Sequence, residues 1–98
     1  MDRIISRRPL REFWEKYPDA ETPLKTWYQT ANKAEWRKPN DVKADYPSAS
    51  IIAGNRMVFN IRGGNYRLIT KLNYEKQWIF IRFVGTHKEY DKVDASTV

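Results

Sequence analysis

Met57-Val58-Phe59-Asn60-Ile61-Arg62-Gly63-Gly64-Asn65-Tyr66-Arg67-Leu68-Ile69-Thr70-Lys71-Leu72-Asn73 is the stretch on which the fold turns. Residues 57–62 alternate between apolar and polar, Gly63-Gly64-Asn65 is a tight-turn sequence, and residues 66–73 alternate again, which together predict a β-hairpin. Trp78-Ile79-Phe80-Ile81-Arg82-Phe83-Val84 follows as a third strand, apolar on both faces, and such a strand is expected at the centre of its sheet. Ser50 to Ala53 offers a short strand ahead of the hairpin.

Upstream the period changes from two to that of a helix. Met1 to Ile5 reads as a short edge strand, and Ser6 followed by Pro9 reads as an N-cap with proline in the first turn, starting a helix near Arg7. Leu10, Phe13, Trp14 and Tyr17 recur on one helical face until Pro18 stops the run. Thr22 and Pro23 repeat the start signal, with Leu24, Trp27, Tyr28 and Ala31 as the second buried stripe, fading around Lys33 to Trp36. Between Lys38 and Ser50 a loop composition leaves room for a helical turn at Asp41 to Asp45. The expectation is a single α+β domain over residues 1–98: two N-terminal helices packed on a small antiparallel sheet, with a short C-terminal helical turn.

At 98 residues, 41% of them hydrophobic and fourteen aromatic, the chain can build one core. Eighteen Lys and Arg against twelve Asp and Glu leave +6, which points to an anionic partner. There is no cysteine and only one histidine, so neither a disulfide, a thiolate nucleophile nor a Cys-ligated zinc is available. No metal and no cofactor are expected. No run approaches the ~20 apolar residues of a membrane span, and charge follows the N-terminal residues at once. A cytoplasmic protein without a membrane partner is expected.

Strand parity assigns the charges to a face. With a turn at Gly63-Gly64 or Gly64-Asn65, Asn60 and Arg62 share a face with Arg67 and Lys71, while Met57, Phe59, Ile61, Leu68 and Leu72 take the other. A two- or four-residue loop around Tyr74-Glu75 then sets Arg67 opposite Arg82 and Lys71 opposite Trp78, and turns Ile79, Ile81 and Phe83 toward the helices. One reading of the basic face is a solvated surface whose long side chains cover aliphatic area. The other is a phosphodiester site, because like charges placed opposite one another are destabilising and none of the charges on this face is acidic. Exposed Trp78 and Phe80 beside the cations suit stacked bases.

Gly85-Thr86-His87-Lys88-Glu89-Tyr90-Asp91-Lys92 follows the last strand directly. Thr86 can cap a helical turn with Glu89 at the capping-box position, and the three-residue spacing brings His87 and Tyr90 to one side. An imidazole can exchange a proton near neutral pH, so the pair has the makings of metal-free phosphoryl chemistry. A surface histidine in a structural role is the plain alternative.

These residues carry a resemblance. Gly64-Asn65-Tyr66-Arg67-Leu68-Ile69, Arg82-Phe83-Val84 and the segment from Gly85 to Lys92 are similar to the signature of HigB-type toxins, mRNA interferases of the RelE superfamily. Tyr17-Pro18, Trp36, Lys38-Pro39 and Tyr46-Pro47 also resemble the family pattern, and only the last few residues carry no signal. The resemblance implies a RelE-like fold and a ribosome-dependent endoribonuclease that cuts translated mRNA in the A site and arrests growth. It further implies neutralisation by a helix-turn-helix antitoxin of the HigA type, with operator DNA contacted only through that antitoxin. In such enzymes the ribose 2′-hydroxyl attacks the adjacent phosphate, giving a 2′,3′-cyclic phosphate and a free 5′-hydroxyl.

Carried over by position, Arg67 and Arg82 would hold the scissile phosphate, His87 and Tyr90 would share acid and base work, and Lys92 would neutralise the phosphate or the leaving oxygen. Asn60, Arg62, Lys71 and Trp78 would bind RNA around them. Some relatives use a carboxylate base, for which the basic face offers no secure counterpart. A non-catalytic basic protein that binds RNA or the ribosome is the alternative. An antitoxin is expected on the helical half or the C-terminal segment, with Trp27, Tyr28 and Trp36 as candidates only if exposed.

Overall fold

Proline and apolar spacing set the helical half. The computed structural model describes residues 1–98, in which strand β1 (Arg3–Ile5) leads into helix α1 (Arg8–Lys16), a single 3-10 turn (Pro18–Ala20) and helix α2 (Glu21–Lys33). Pro9 sits in the first turn of α1 as expected, but the N-cap position belongs to Arg7, with no side-chain cap, rather than to Ser6. The second helix begins before Thr22 because the 3-10 turn delivers the chain to Glu21 already coiled. Leu10, Phe13 and Trp14 of α1 and Leu24, Trp27 and Ala31 of α2 are buried, so the two stripes face a common core. Helix α3 (Pro39–Asp45), the predicted turn of helix, buries Val42.

The second half supplies β2 (Ser50–Ile52), β3 (Arg56–Ile61), β4 (Tyr66–Asn73) and β5 (Trp78–Thr86), followed by the short helix α4 (His87–Tyr90). The five strands form one sheet in the order β1-β5-β4-β3-β2. All neighbours are antiparallel except β1, which runs parallel to β5. The middle place therefore belongs to β4, and β5 lies one strand off centre. Pairing on both edges, with β1 and β4, makes β5 an interior strand without its being the midpoint.

The helices cover one face only. Phe59 opposite Leu68, Ile61 opposite Tyr66 and Leu72 opposite Ile79 point into the core cluster shared with the helices. At its centre Phe59 meets Trp27 edge-on at 5.3 Å and Trp36 in a stack at 6.2 Å. Trp27 and Trp36 are 1% and 2% exposed, which removes both from any partner surface, and Tyr28 is half-buried beneath the Arg7 guanidinium. Fully burying such side chains contributes about 1.5–3 kcal/mol each relative to exposure.

The other face is open, and its parity is as the hairpin predicts: Arg56, Val58 and Asn60 on β3 oppose Lys71, Ile69 and Arg67 on β4. The β4–β5 register departs from expectation twice. The loop holds residues 74–77, so Lys71 faces Phe80 and Asn73 faces Trp78. A bulge then breaks the ladder, with Ile69 opposite Phe83 and Thr70 opposite Ile81, leaving Arg82 as the extra residue. Downstream of it Arg67 faces Gly85 instead of Arg82, and Phe83 turns to the open face while Val84 packs on the core. No helix is long and apolar enough to cross a membrane.

Gln77 locks the β4–β5 turn to the rest of the chain. It is buried in a left-handed conformation (φ 60°), and its Nε2 donates to the carbonyl oxygens of Trp36 and Tyr74, each at 2.7 Å. Gln77→Leu leaves both oxygens without this donor and is expected to lower stability by about 1–3 kcal/mol, read as an earlier urea midpoint at unchanged slope. At Gly85 an added Cβ would lie 2.4 Å from Phe83 Cζ and 3.2 Å from Glu89 Oε1. Gly85→Ala is accordingly expected to displace the Phe83 ring and to cost about 1–3 kcal/mol, measured in the same way.

Candidate active site

The open face ends, at its β3–β4 turn, under helix α4. That helix is placed by the capping box read from the sequence: Thr86 Oγ1 accepts from the Glu89 amide at 3.1 Å, and Glu89 Oε1 accepts from the Thr86 amide at 2.8 Å. The Thr86 amide, more than any other group, holds the Glu89 carboxyl below its ordinary value of 4.5, with the charges of Lys16 and Lys92 adding to the effect. A further bond, from the His87 amide to the Asn65 carbonyl at 3.1 Å, ties α4 to the hairpin turn. His87 and Tyr90 are thereby held against the strand that carries Arg67.

Arg67 and Tyr90 meet. The Arg67 guanidinium carbon lies 5.7 Å from the Tyr90 ring centroid, a cation–π pair. The same guanidinium donates through Nη1 to the Gly64 carbonyl, and Gly64 adopts φ 96°, where a Cβ would sit 3.3 Å from that nitrogen. The turn glycine thus gives the arginine its seat. Gly85, directly across from Arg67, has no room for a side chain, because the Phe83 ring and Glu89 Oε1 occupy the place of its Cβ.

His87 is exposed, and its Nδ1 lies 3.2 Å from Asp91 Oδ2. Asp91 was not among the residues singled out from the sequence, although the His87-to-Asp91 spacing of four is the signal that a helical turn brings such a pair together. The pairing fixes the ring so that Nε2 remains available on its other side. The Lys92 amide donates to the Glu89 carbonyl at 3.1 Å, so Lys92 follows within one turn.

Arg82 sits at the bulge, three residues and about 10 Å of strand before Gly85. Its Nε donates to Val98 O at 3.1 Å, and the neighbouring Arg56 donates from Nη1 to Val98 O and, at 3.3 Å, to Ala95 O. Residues 94–98 therefore lie across the open face at these two arginines, and nothing in the sequence signalled it. Arg56 itself becomes legible once the β3 alternation is carried one residue back from Met57. Asp94 in this segment brings a carboxylate near Arg56; the Ser96 hydroxyl and amide hold it below its usual range.

The remaining sequence candidates divide. Asn60 is exposed on the open face beside Arg67, with Nδ2 donating to Ser48 O at 3.4 Å. Lys71 and Trp78 lie at the opposite end of the face, where Trp78 carries Lys76 Nζ at 4.9 Å, the Arg3 guanidinium at 5.8 Å and the Phe80 ring edge-on at 6.2 Å. Arg62 leaves the face altogether. It stands in the turn at φ 52° and pairs with Asp19 at 3.3 Å on the helical side, where Asp19 also accepts from the Tyr66 hydroxyl. A turn residue does not obey strand parity, which is why its assignment to the basic face fails.

The ion pairs of the structure join Arg8 to Glu12, Arg11 to Glu15, Lys25 to Glu21, Arg62 to Asp19 and His87 to Asp91. Arg67, Lys71, Arg82 and Lys92 take part in none of them. Arg67, Lys71 and Arg82 on the open sheet face and Lys92 beyond it are thus available to an incoming polyanion. No three His, Asp or Glu side chains converge in a way that would hold a metal ion.

Comparison with known proteins bears on this geometry. Residues 20–93 match the family model described as HigB_toxin, RelE-like toxic component of a toxin-antitoxin system. The mRNA interferase toxin HigB of Escherichia coli strain K12 and the mRNA interferase HigB of Shigella flexneri are each 36% identical over 90 residues, covering 90% of this chain and 86% of the relative. The mRNA interferase HigB of Escherichia coli O6:H1 is 26% identical over 92 residues, 92% of this chain and 89% of that one. The match takes in α2, the hairpin, β5 and α4 together, and the chain belongs to the HigB family of RelE-like toxins, the toxic components of toxin–antitoxin systems.

Proposed function

We propose that this chain is an mRNA endoribonuclease that cuts translated messages in the ribosomal A site and is held in check by a helix-turn-helix antitoxin of the HigA type. The observation that carries the reading is the Arg67 guanidinium seated over Tyr90 at the end of the sheet face that also presents Lys71 and Arg82. The relatives that bear the name mRNA interferase align across this same region. The protein acts in the cytoplasm, where ribosome and message meet, and touches operator DNA only through the antitoxin.

In this reading the 2′-hydroxyl of the bound message loses its proton to His87 or Tyr90 and attacks the adjacent phosphorus. The P–O5′ bond breaks, and the leaving oxygen takes a proton from the other member of the pair. Arg67 and Arg82 donate to the phosphate oxygens on which charge builds, and Lys92 stands near the leaving group. Asp91 holds the His87 ring in place for this. Asn60, Lys71 and Trp78 contact flanking nucleotides, whereas Arg62, tied to Asp19, serves the fold.

Expressed alone, the chain is expected to produce new 5′ ends in register with codons on an actively translated message, and to leave the same message intact when initiation is blocked. Arg67→Ala and Tyr90→Phe should each slow cleavage by about 10²–10³ with an unchanged circular dichroism spectrum. Growth inhibition that persists in both folded variants, or that tracks net charge alone, would mark a binder instead of an enzyme.

The capping box sets a pH limit on the site. Because the Glu89 carboxyl is held below 4.5 in the folded chain, its ionised form stabilises α4 above that pH, and the contribution is lost as pH falls through the depressed value. Amide signals of Thr86 to Tyr90 followed by NMR are expected to shift in acid before the rest of the sheet. Glu89→Gln, which keeps a neutral cap, should abolish that early transition.

A further inference from the structure

Residues 94–98 lie on the face that a message would cross, and they hold two of its cations, Arg56 and Arg82. We propose that this segment is a self-inhibitory strap, which presents its own oxygens to the two arginines in place of an RNA phosphate and must leave before a message is seated. The proposal rests on the ribonuclease reading and adds a gate to it.

The strap is folded so as to present oxygens. Asp94 Oδ1 accepts from the Ser96 amide at 2.9 Å and from the Ser96 hydroxyl at 2.6 Å. The Asp94 carbonyl accepts from the Thr97 and Val98 amides at 3.1 and 2.9 Å. These bonds close the segment into one turn and use up its amides, so that acceptors are what it turns outward. The Val98 oxygen takes Nη1 of Arg56 on β3 and, at 3.1 Å, Nε of Arg82 on β5, with β4 lying between the two strands. Ala95 O accepts from the same Arg56 nitrogen at 3.3 Å, and the Asp94 carboxylate lies close enough to Arg56 for the charges to interact. One oxygen shared by two guanidiniums, with a negative charge beside it, is what a phosphodiester offers to a pair of arginines.

Burial agrees with a seated strap. Arg56 belongs to the face without helices and is nevertheless only 8% exposed. Val58 and Ile69 on the same face are 3% and 0% exposed, although both stand outside the cluster packed under the helices. The hydrogen bonds to Arg56 and Arg82 put residues 94–98 where that cover is needed. Arg82 itself stays exposed, so an anion can reach it while Arg56 is still engaged. None of the side-chain ion pairs fastens the strap. A phosphate that takes the Nε edge of Arg82 with two parallel bonds displaces the Val98 oxygen from it, and the path from there to Gly85, opposite Arg67, runs along β5.

The test uses the full chain and a short single-stranded oligonucleotide with 2′-deoxy sugars, whose phosphodiesters cannot be cut by 2′-hydroxyl attack. It is run in about 0.15 M salt, where distant exposed charges are largely screened. In NMR spectra the Ser96, Thr97 and Val98 amide signals are expected to move toward unstructured positions over the same concentrations that shift the Arg82 Nε–H signal. Thr97→Pro removes one donor of the turn and steers Ser96 away from helical backbone without altering charge. It should bind the oligonucleotide about three- to tenfold more tightly, as follows when a competing closed state is depopulated. Asp94→Asn removes the charge, keeps the Oδ1 acceptor, and should stay within about twofold of the unaltered chain. The strap is overturned by amide signals of residues 96–98 that hold still while those of Arg82 and Arg67 shift, by a Thr97→Pro chain that binds no more tightly, or by an equal gain from Asp94→Asn. Cutting of translated message separates the two readings. A strap refuted in a chain that cuts message leaves the ribonuclease standing, whereas a strap released by the oligonucleotide in a chain that cuts no message is upheld and the ribonuclease is refuted.

Discussion

One extra residue in β5 organises the site. Without the bulge at Arg82, the register that pairs Lys71 with Phe80 would continue, bringing Val84 to the open face across from Arg67 and turning Phe83 toward the helices. The inserted residue exchanges them. Val84 joins the core, and Phe83 rests on the open face with its ring over Gly85, the residue that arrives opposite Arg67. Bulges re-aim side chains in this way, adding twist at the point where a ladder is broken. Here the broken point also separates the two arginines by about 10 Å along the strand. At that distance two charges in water repel by only about 0.4 kcal/mol, and salt reduces this further. A track of cations on one face is therefore compatible with a stable sheet.

This same device marks the limit of what the sequence makes legible. The hairpin from Met57 to Asn73 is readable to the residue, because its core face alternates with a polar one and a slip of one position would bury charge. Asn60, Arg67 and Lys71 consequently stand where parity puts them. In β5 the pattern Ile79-Phe80-Ile81-Arg82-Phe83-Val84 is apolar on both sides, so a one-residue insertion leaves no mismatch for the eye to find. The expected pairings of Arg67 with Arg82 and of Lys71 with Trp78 fail first because the loop holds residues 74–77, which sets Lys71 against Phe80, and the bulge then moves Gly85 into place across from Arg67, although Trp78, Phe80 and Arg82 still reach the open face. Local signals fared differently again. The Thr86-to-Glu89 capping box is a contact between near neighbours and is present as read, while Arg62, one residue past its strand, follows the turn and not the sheet.

The helical half has its own task, which is to make one face of the sheet rigid and to leave the other free of helices. Trp27, Trp36 and Phe59 pack together beneath α2, and Asp19 reaches across to both Arg62 and Tyr66 at the hairpin turn. The Tyr66 hydroxyl is kept protonated by that hydrogen bond to Asp19, its pKa raised above 10.0, so it remains a donor throughout the neutral range. The turn that seats Arg67 through Gly64 is thus anchored from the helical side. A side chain on the open face is held in position by the core on the opposite face, a support that sites built on rigid strands obtain and loops do not.

The segment at residues 94–98 adds a constraint of a different kind. Arg56 and Arg82 direct guanidinium donors at the Ala95 and Val98 oxygens, and Asp94 lies close enough to Arg56 for the charges to interact. The paired oxygens of a phosphate accept two parallel bonds from a guanidinium and carry charge. A phosphodiester brought to Arg82 therefore competes with the Val98 oxygen for an exposed guanidinium. Arg67, by contrast, has an aromatic ring and turn carbonyls as neighbours and keeps its outward donors free. Of the two arginines, Arg67 is held by groups it keeps when a phosphate binds, whereas Arg82 exchanges the Val98 oxygen for the phosphate.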